Sequence, residues 1–463
     1  MLPSLDRFPK MSGFSKILLG VVLITFSFAG ASRVFAEKER DYDPYTSVLK
    51  YPDALQPEAA EHRDQDQFIA RILEQPLRPV GYGLGKTAEW VERNHVDDKT
   101  IWLFDELESH GIFPGLTSPT TGSLGTIGLK GRVEMEKLFQ IEQPFAYLDA
   151  FGGWTPNKDF AGSTVELGSH YKIEVPTTSF THEGKVRYWR SSAESFYGIG
   201  QDTSLGEYST YQPEELIFDG SLGYQLTQAV ANLTSFVYQR VNIGNGNRER
   251  VGKIKEHFPV ASIPGIDGGD LIGLKTALTH DSRDQAGDPK HGGHETIEFS
   301  YFHDTDGNDF HYLKIAGSAS RFIPIRSDRR ILALRLAAEK NQELGGDEIP
   351  FFNLSRLGGS DRSDGSELLR SYRYNRFFEE GLLLANVEYR YSIYEYGNFR
   401  GDAVALFDVG EVFEEIGDFG FDELKFSYGG GLNLQFRHRT IFAITVARGN
   451  EGWRSGVHTK ASF

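Results

Sequence analysis

The feature that most constrains this chain is a regular alternation of apolar and polar residues that begins after Gly122. In 383–393 one face carries Ala385, Val387, Tyr389, Tyr391 and Ile393. The other face carries Asn386, Glu388, Arg390 and Ser392. A period of two predicts β-strands, and strands of about ten residues with one apolar face are typical of membrane-spanning barrels. Soluble β-sandwiches also alternate, but their strands are usually about five or six residues long.

The alternation recurs often enough to predict a complete barrel. Residues 331–338 and 431–437 repeat it, with Leu332, Leu334 and Leu336 on one face of the first stretch. A spanning strand with its share of connection takes roughly 20 residues, so residues 123–463 provide about 16 or 17 strands, and bacterial barrels use even numbers. We therefore predict an all-β fold over 119–463, a transmembrane antiparallel β-barrel of about 16 strands. Its closing strand is predicted within RSGVHTKASF, which contains Gly456, Val457 and the terminal Phe463.

The N-terminus has the pattern of an export signal. In residues 1–36, Arg7, Lys10 and Lys16 precede an apolar core from Ile17 to Phe28, and small residues follow near Ala36. The apolar core is shorter than the roughly 20 residues of a membrane helix, so we expect a signal peptide that is cleaved after export. This predicts a protein of the Gram-negative outer membrane.

Residues 37–118 differ from the rest of the chain. Charged and proline-rich at first, the segment then carries apolar residues at helical spacing in 68–73, 87–93 and 98–109. We predict a helix and loop segment that lies in the periplasm or plugs the barrel lumen.

The composition excludes several classes of protein. There is no cysteine, which excludes disulfide scaffolds, zinc–thiolate sites and cysteine nucleophiles. The net charge of −16 argues against nucleic-acid binding, which normally uses a basic face.

Motifs for catalysis and cofactors are incomplete. GYGLGKT at 81–87 has Val80 where a phosphate-binding loop needs glycine. HDTDGND at 303–309 lacks the closing glutamate of a calcium loop and reads as a polar hairpin turn. No G-x-S-x-G motif occurs. We predict no enzymatic activity, no cofactor and no metal site.

One loop and two strands carry the most informative charges. If Ala385 faces lipid, Glu388 faces the lumen, and the same parity in the next strand turns Asp402 and Asp408 inward. The preceding loop contains Arg370, which could form a charge-assisted lock between carboxylates of the barrel wall. The alternative is that Arg370 is a solvated surface residue.

These residues resemble the motifs of the Omp85 superfamily, the bacterial surface antigen group that includes BamA, TamA and the two-partner secretion transporters. Leu369-Arg370-Ser371-Tyr372 is similar to the loop motif [VI]-R-G-[FY], and Leu406 to Gly410 is similar to the strand motif F-x-D-x-G. FYGIGQD at 196–202 and LTHDSRDQAGDPKHGG at 278–293 are weaker matches in the same order. The resemblance implies that Arg370 is the tip of an inward-folded sixth extracellular loop, held by Asp408 and Glu388, with Tyr372 and Gly410 completing the two motifs.

The chain departs from the family pattern at three points. Ser371 replaces the motif glycine and Leu406 replaces the motif phenylalanine. Residues 37–118 also lack the flanking strands of a periplasmic POTRA domain. The resemblance therefore does not extend to the setting of the loop tip or to capture of substrates by POTRA domains.

The resemblance implies a role in the insertion, assembly or translocation of proteins through a weak seam between the first and last strands. An exposed strand edge there could pair with an incoming strand. The partners would be outer-membrane lipid, unfolded outer-membrane or secreted proteins, and a separate periplasmic protein. The alternatives are a passive or plugged channel and, third, an outer-membrane hydrolase.

Overall fold

The computed structural model describes residues 106–107, 109–110, 112–117, 127–134, 146–155, 164–174 and 178–458, the last range with gaps at 249, 260–261, 360–365, 397–398, 421–422 and 437–438. The predicted signal peptide, most of 37–118 and Phe463 lie outside the described residues. In the described ranges, no helix is both long enough and apolar enough to cross a membrane.

The described residues form one large sheet. It includes two short strands, Glu194–Phe196 and Gly252–Lys253, and sixteen successive antiparallel strands. They are β1 (Ile112–Thr117), β2 (Ile127–Glu134), β3 (Ala146–Thr155), β4 (Thr164–Glu174), β5 (Phe180–Ser191), β6 (Ser209–Gln225), β7 (Val230–Asn245), β8 (Gly268–Asp281), β9 (Gly292–Asp304), β10 (His311–Ile325), β11 (Ser327–Glu343), β12 (Gly381–Tyr396), β13 (Phe399–Phe413), β14 (Lys425–Phe436), β15 (Arg439–Gly449) and β16 (Gly452–His458). The prediction of an all-β fold with about sixteen strands is confirmed.

Each strand pairs with the strand before it and the strand after it, from β1–β2 to β15–β16. The register between β12 and β13 places Asn386 opposite Asp408 and Glu388 opposite Leu406. A slip of one residue would turn the side chains of the slipped strand to the outer face and separate the two carboxylates, so the register positions the charged groups. Among the described residues, no ladder joins β1 to β16.

The two faces of the sheet have opposite chemistry. Large apolar side chains remain exposed on the outer face, including Leu222, Phe236, Leu274, Phe407, Phe442 and Val446. Buried polar side chains line the inner face, including Ser221, Ser235, Asn386, Glu388, Asn433 and Thr445. An apolar exterior around a polar interior is the pattern of a membrane barrel and the reverse of a soluble protein.

Connections alternate between the two ends of the sheet because successive strands are antiparallel. Those that follow odd-numbered strands lie at one end, here called end A, and those that follow even-numbered strands lie at end B. The longer end A connections meet over a buried apolar cluster that contains Phe196, Ile254, Phe310, Phe351 and Phe378. End A is therefore covered by packed loops.

The sheet begins earlier than predicted. We expected the barrel to start at 119, yet β1 spans Ile112–Thr117 and pairs with β2. Pro114 and Gly115 indicate a turn in the sequence, but β1 is a terminal strand, and proline is tolerated where no neighbouring strand needs its missing N–H.

Of the predicted helix 98–109, Glu106, Leu107 and Ser109 are described and are helical. As predicted, a turn lies within 303–309, between β9 and β10.

Candidate functional site

The connection between β11 and β12, residues 344–380, folds into the barrel, and we call it the inward loop. Its apolar residues Leu357, Leu368, Leu369, Tyr372 and Phe377 pack on the inner faces of β11, β12 and β13. Ser355–Leu357 pairs with Phe377–Glu379, which brings the two arms of the loop together. Burial of these side chains gives the loop a fixed path in place of a solvated one.

Arg370 lies at the buried tip of the inward loop, between two strands of the barrel wall. It is 6% exposed, and Glu388 and Asp408 are 0% exposed. Arg370 Nε donates to Asp408 Oδ2 at 3.0 Å and Nη2 donates to Asp408 Oδ1 at 2.5 Å. Nη1 donates to Glu388 Oε1. One guanidinium therefore engages a carboxylate from each of β12 and β13, which its planar fork makes possible.

Neighbouring groups complete this charge cluster. Asn386 Nδ2 donates to Asp408 Oδ1 at 2.9 Å and to the carbonyl of Leu368 at 3.0 Å. Arg390 Nε donates to Glu388 Oε2 at 2.9 Å. The backbone N–H of Arg370 also donates to Asp408 Oδ2, at 3.2 Å. Two cations thus face two anions, so the buried cluster is close to neutral.

Electrostatics keep the loop tip charged. Burial alone would lower the pKa of Arg370, but Asp408 and Glu388 more than offset it and raise the pKa above its ordinary value. Arg370 is therefore a permanent cation, suited to holding position and unsuited to proton transfer.

Tyr372 and Gly410 lie beside this cluster. Tyr372 is buried and its ring centroid lies 5.5 Å from that of Phe377. A Cβ at Gly410 would lie 2.9 Å from the carbonyl oxygen of Leu383 and 3.1 Å from Leu357 Cδ2. Glycine at this position lets Leu357 of the inward loop approach the backbone of the wall.

Ser371, at the position of the motif glycine, makes contacts of its own. Its backbone N–H donates to Ser427 Oγ at 3.0 Å, and the two hydroxyl oxygens lie 2.6 Å apart. The loop tip therefore contacts β14 as well as β12 and β13. Leu406, at the position of the motif phenylalanine, is buried.

The inward loop also contacts the terminal hairpin of β15 and β16. Glu367 Oε1 lies 3.0 Å from His458 Nδ1 on β16, and the Glu367 carbonyl accepts from Arg335 Nη1 of β11 at 3.1 Å. Arg376 Nε donates to Glu451 Oε1, in the turn before β16, at 2.6 Å. These contacts do not follow from the sequence pattern, although the high content of arginine in the loop is a signal of them.

The predicted closing-strand residues lie in β16 where they are described. Gly456 is paired with Thr445 and Val457 with Ile444 of β15. A Cβ at Gly456 would lie 2.5 Å from His458 Nε2, so a side chain there would displace the histidine. Within the described residues, no group of three or more His, Asp or Glu residues is arranged to hold a metal ion.

A sixteen-stranded sheet with an apolar exterior, a polar interior and a loop buried against the inner wall defines a class of protein, the outer-membrane β-barrels. Residues 160–451 match the sequence profile of the Omp85 superfamily domain. The chain belongs to the Omp85 superfamily.

Solved structures include similar folds. The crystal structure of BamA from Haemophilus ducreyi lacking POTRA domains 1–3 has a TM-score of 0.50 and 14% identity, with 75% of this chain and 68% of that chain covered. CdiB from Escherichia coli has a TM-score of 0.49 and 12% identity, over 75% of this chain and 62% of that chain. CdiB from Acinetobacter baumannii has a TM-score of 0.45 and 10% identity, over 75% and 58%. No curated protein matches the sequence.

Proposed function

We propose that this barrel assists the insertion or translocation of proteins at the outer membrane through a seam between β1 and β16. The observation that carries the proposal is that the inward loop joins the barrel wall to the terminal hairpin. Arg370 binds carboxylates of β12 and β13. In the same loop, Glu367 Oε1 lies 3.0 Å from His458 Nδ1 of β16.

The terminal strands β1 and β16 would open to form the seam. Backbone donors and acceptors freed there could pair with an incoming strand by β-augmentation. In β16, Ser455 and Gly456 add little apolar packing to hold the strand in place. A barrel precursor that pairs with such an edge could fold strand by strand into the membrane.

The inward loop would control this seam from inside. Arg370 fixes the loop to β12 and β13, and the same loop reaches the terminal hairpin through Glu367 and Arg376. We infer that the cluster around Arg370 maintains the position of the hairpin and takes part in no chemical step. End A would then face the cell exterior, as the resemblance of the loop implies.

The proposed partners are outer-membrane lipid, unfolded outer-membrane or secreted proteins, and a separate periplasmic protein that delivers them. Export would end with cleavage of residues 1–36. N-terminal sequencing of the protein purified from outer membranes tests this step, because an intact N-terminus would contradict cleavage.

The function is tested with liposomes that carry the purified protein. A urea-unfolded outer-membrane barrel is added, and the rate at which it becomes protected from protease is compared with that in empty liposomes. Liposomes that carry an unrelated 16-stranded porin control for membrane defects caused by any barrel. We expect acceleration with this protein alone. Equal rates in all three preparations would contradict an insertion function.

A plugged channel is the second candidate, favoured by the apolar cluster that covers end A. In this case residues 37–105 would help to fill the lumen. Deleting them, with β1 retained, should sharply raise single-channel conductance if they are a plug. Unchanged conductance would remove that role.

A further inference from the structure

The connection between β8 and β9, residues 282–291, differs from the other described connections at end B. Those at 226–229 and 326 contain only the residues of a tight turn, as periplasmic turns of barrels usually do. Residues 282–291 include four exposed positions, 284–287, followed by the buried Asp288 and Pro289. The connection therefore turns from solvent back into the protein before it reaches β9. We call residues 282–291 the strap.

Asp288 is buried because it reaches a second charge cluster on the inner wall. Arg400 Nη1 donates to Asp288 Oδ2 at 2.5 Å, and Nη2 donates to Asp288 Oδ1 at 2.7 Å. On its other side, Arg400 Nε donates to Asp402 Oδ1 at 2.9 Å. Asp288 is 2% exposed, Arg400 8% and Asp402 1%. A bidentate contact of this kind is among the strongest polar contacts in proteins.

The strap must leave its own part of the wall to make this contact. Arg400 is on β13, five strands away from β8 along the sheet. Neighbouring strands lie about 4.8 Å apart, so the two attachment points are separated by an arc of roughly 24 Å. Both β8 and β12 end at end B, where β9 and β13 begin. The strap therefore crosses the mouth of the barrel at end B.

The contacts within the strap favour movement as one unit. Asp284 Oδ1 accepts the backbone N–H groups of Lys290 and His291 at 3.0 and 3.2 Å, which holds the two arms of the strap together. Arg400 would keep its contact with Asp402, and Asp402 also accepts from Ser392 and Gln435. Loss of the contact between Asp288 and Arg400 would therefore leave the inner wall satisfied.

We propose that the strap is a gate that closes the lumen to hydrophilic solutes at end B. The contact between Arg400 and Asp288 holds this gate closed. This gate lies at the end opposite the inward loop, on a different element from the seam. Its function is the control of passage through the lumen, and it does not depend on whether the barrel inserts proteins.

The gate is tested by conductance of the purified full chain in planar bilayers. Asp288→Asn weakens the contact with Arg400 and Asp288→Arg adds repulsion with Arg400, and neither variant changes a residue of the wall. We expect mean conductance to rise in Asp288→Asn and to rise several-fold in Asp288→Arg. Gln285→Ala is the matched control, because Gln285 is exposed on the same strap. Conductance equal to wild type in both Asp288 variants would overturn the proposal.

A second variant removes the strap itself. Residues 284–291 are replaced by Asn-Gly, a two-residue hairpin turn that suits adjacent antiparallel strands. We expect conductance at least as high as that of Asp288→Arg, with the heat-modifiable gel shift of a folded barrel. A folded variant with wild-type conductance would show that the strap does not close the lumen. Protease protection in the liposome assay would remain as in wild type, which separates this result from failure of the insertion function.

Discussion

At Arg370, one side chain satisfies two buried carboxylates from two different strands. Asp408 takes Nε and Nη2, and Glu388 takes Nη1. A lysine ammonium is a single point charge and cannot occupy all three positions with this geometry. The loop tip therefore depends on the shape of the guanidinium as well as on its charge.

We expect Arg370→Ala to destabilise the barrel by about 3–5 kcal/mol, because it leaves two buried carboxylates without their cation. The measurement is the urea midpoint of unfolding, read from the heat-modifiable shift on a gel. The double variant Arg370→Ala with Asp408→Asn should recover part of the loss, because it also removes one buried charge. A single variant as stable as wild type would contradict a structural role of the cluster.

Ser371 provides a milder test at the same tip. Ser371→Ala removes the contact between the two hydroxyl groups and keeps the backbone hydrogen bond to Ser427, so we expect a loss of about 1 kcal/mol. Ser427→Ala removes both hydrogen bonds and should cost more. If Ser371→Ala cost as much as Arg370→Ala, the tip would be held mainly by β14.

Part of this site could be predicted from single residues. A period of two in 383–393 is enough to place Glu388 and Arg390 on the inner face, and both are buried there. The partners of Glu367 could not be predicted in this way. Its contact with His458 depends on the path of a loop, which is set by apolar packing between elements distant in sequence.

At the scale of elements, the inward loop connects the middle of the sheet to its last strand. Arg370 fixes the loop to β12 and β13, and Glu367 contacts His458 of β16. Movement of the loop would therefore be transmitted to β16.

We expect Glu367→Gln to speed amide hydrogen exchange in β16 and to leave exchange in β12 unchanged. The substitution weakens the contact with His458 and keeps the size of the side chain. Exchange is measured on the folded barrel in detergent, with Glu256→Gln as control because its ion pair with Lys253 is exposed. Uniform exchange in β16 across all variants would show that the loop does not restrain this strand.

The strands themselves differ in how well the sequence predicts them. Strong alternation in β12, β13 and β14 predicts both the strands and their faces. The first strand, β1, carries Pro114 and Gly115, and its extended structure comes from pairing with β2 rather than from local preference. Edge position explains how a strand forms here, in a segment that the sequence predicts as helix and loop.

At the scale of the whole molecule, two buried charge clusters lie on the same pair of strands. The cluster of Arg370 holds the loop from end A, and the cluster of Arg400 holds the strap from end B. The number of strands could be predicted from the length of the chain and the number of residues that each spanning strand needs. The strap could not be predicted, because Asp288 is separated from Arg400 by 112 positions and resembles an ordinary polar turn residue.

The measurement that tests the central claim most directly is the liposome insertion assay with Arg370→Ala. Arg373→Ala is the matched control, an exposed arginine of the same loop that lies outside the buried cluster. If the cluster positions the inward loop for insertion, acceleration will be lost in Arg370→Ala and kept in Arg373→Ala, with both barrels folded in the membrane. Full acceleration by a folded Arg370→Ala barrel would contradict this claim.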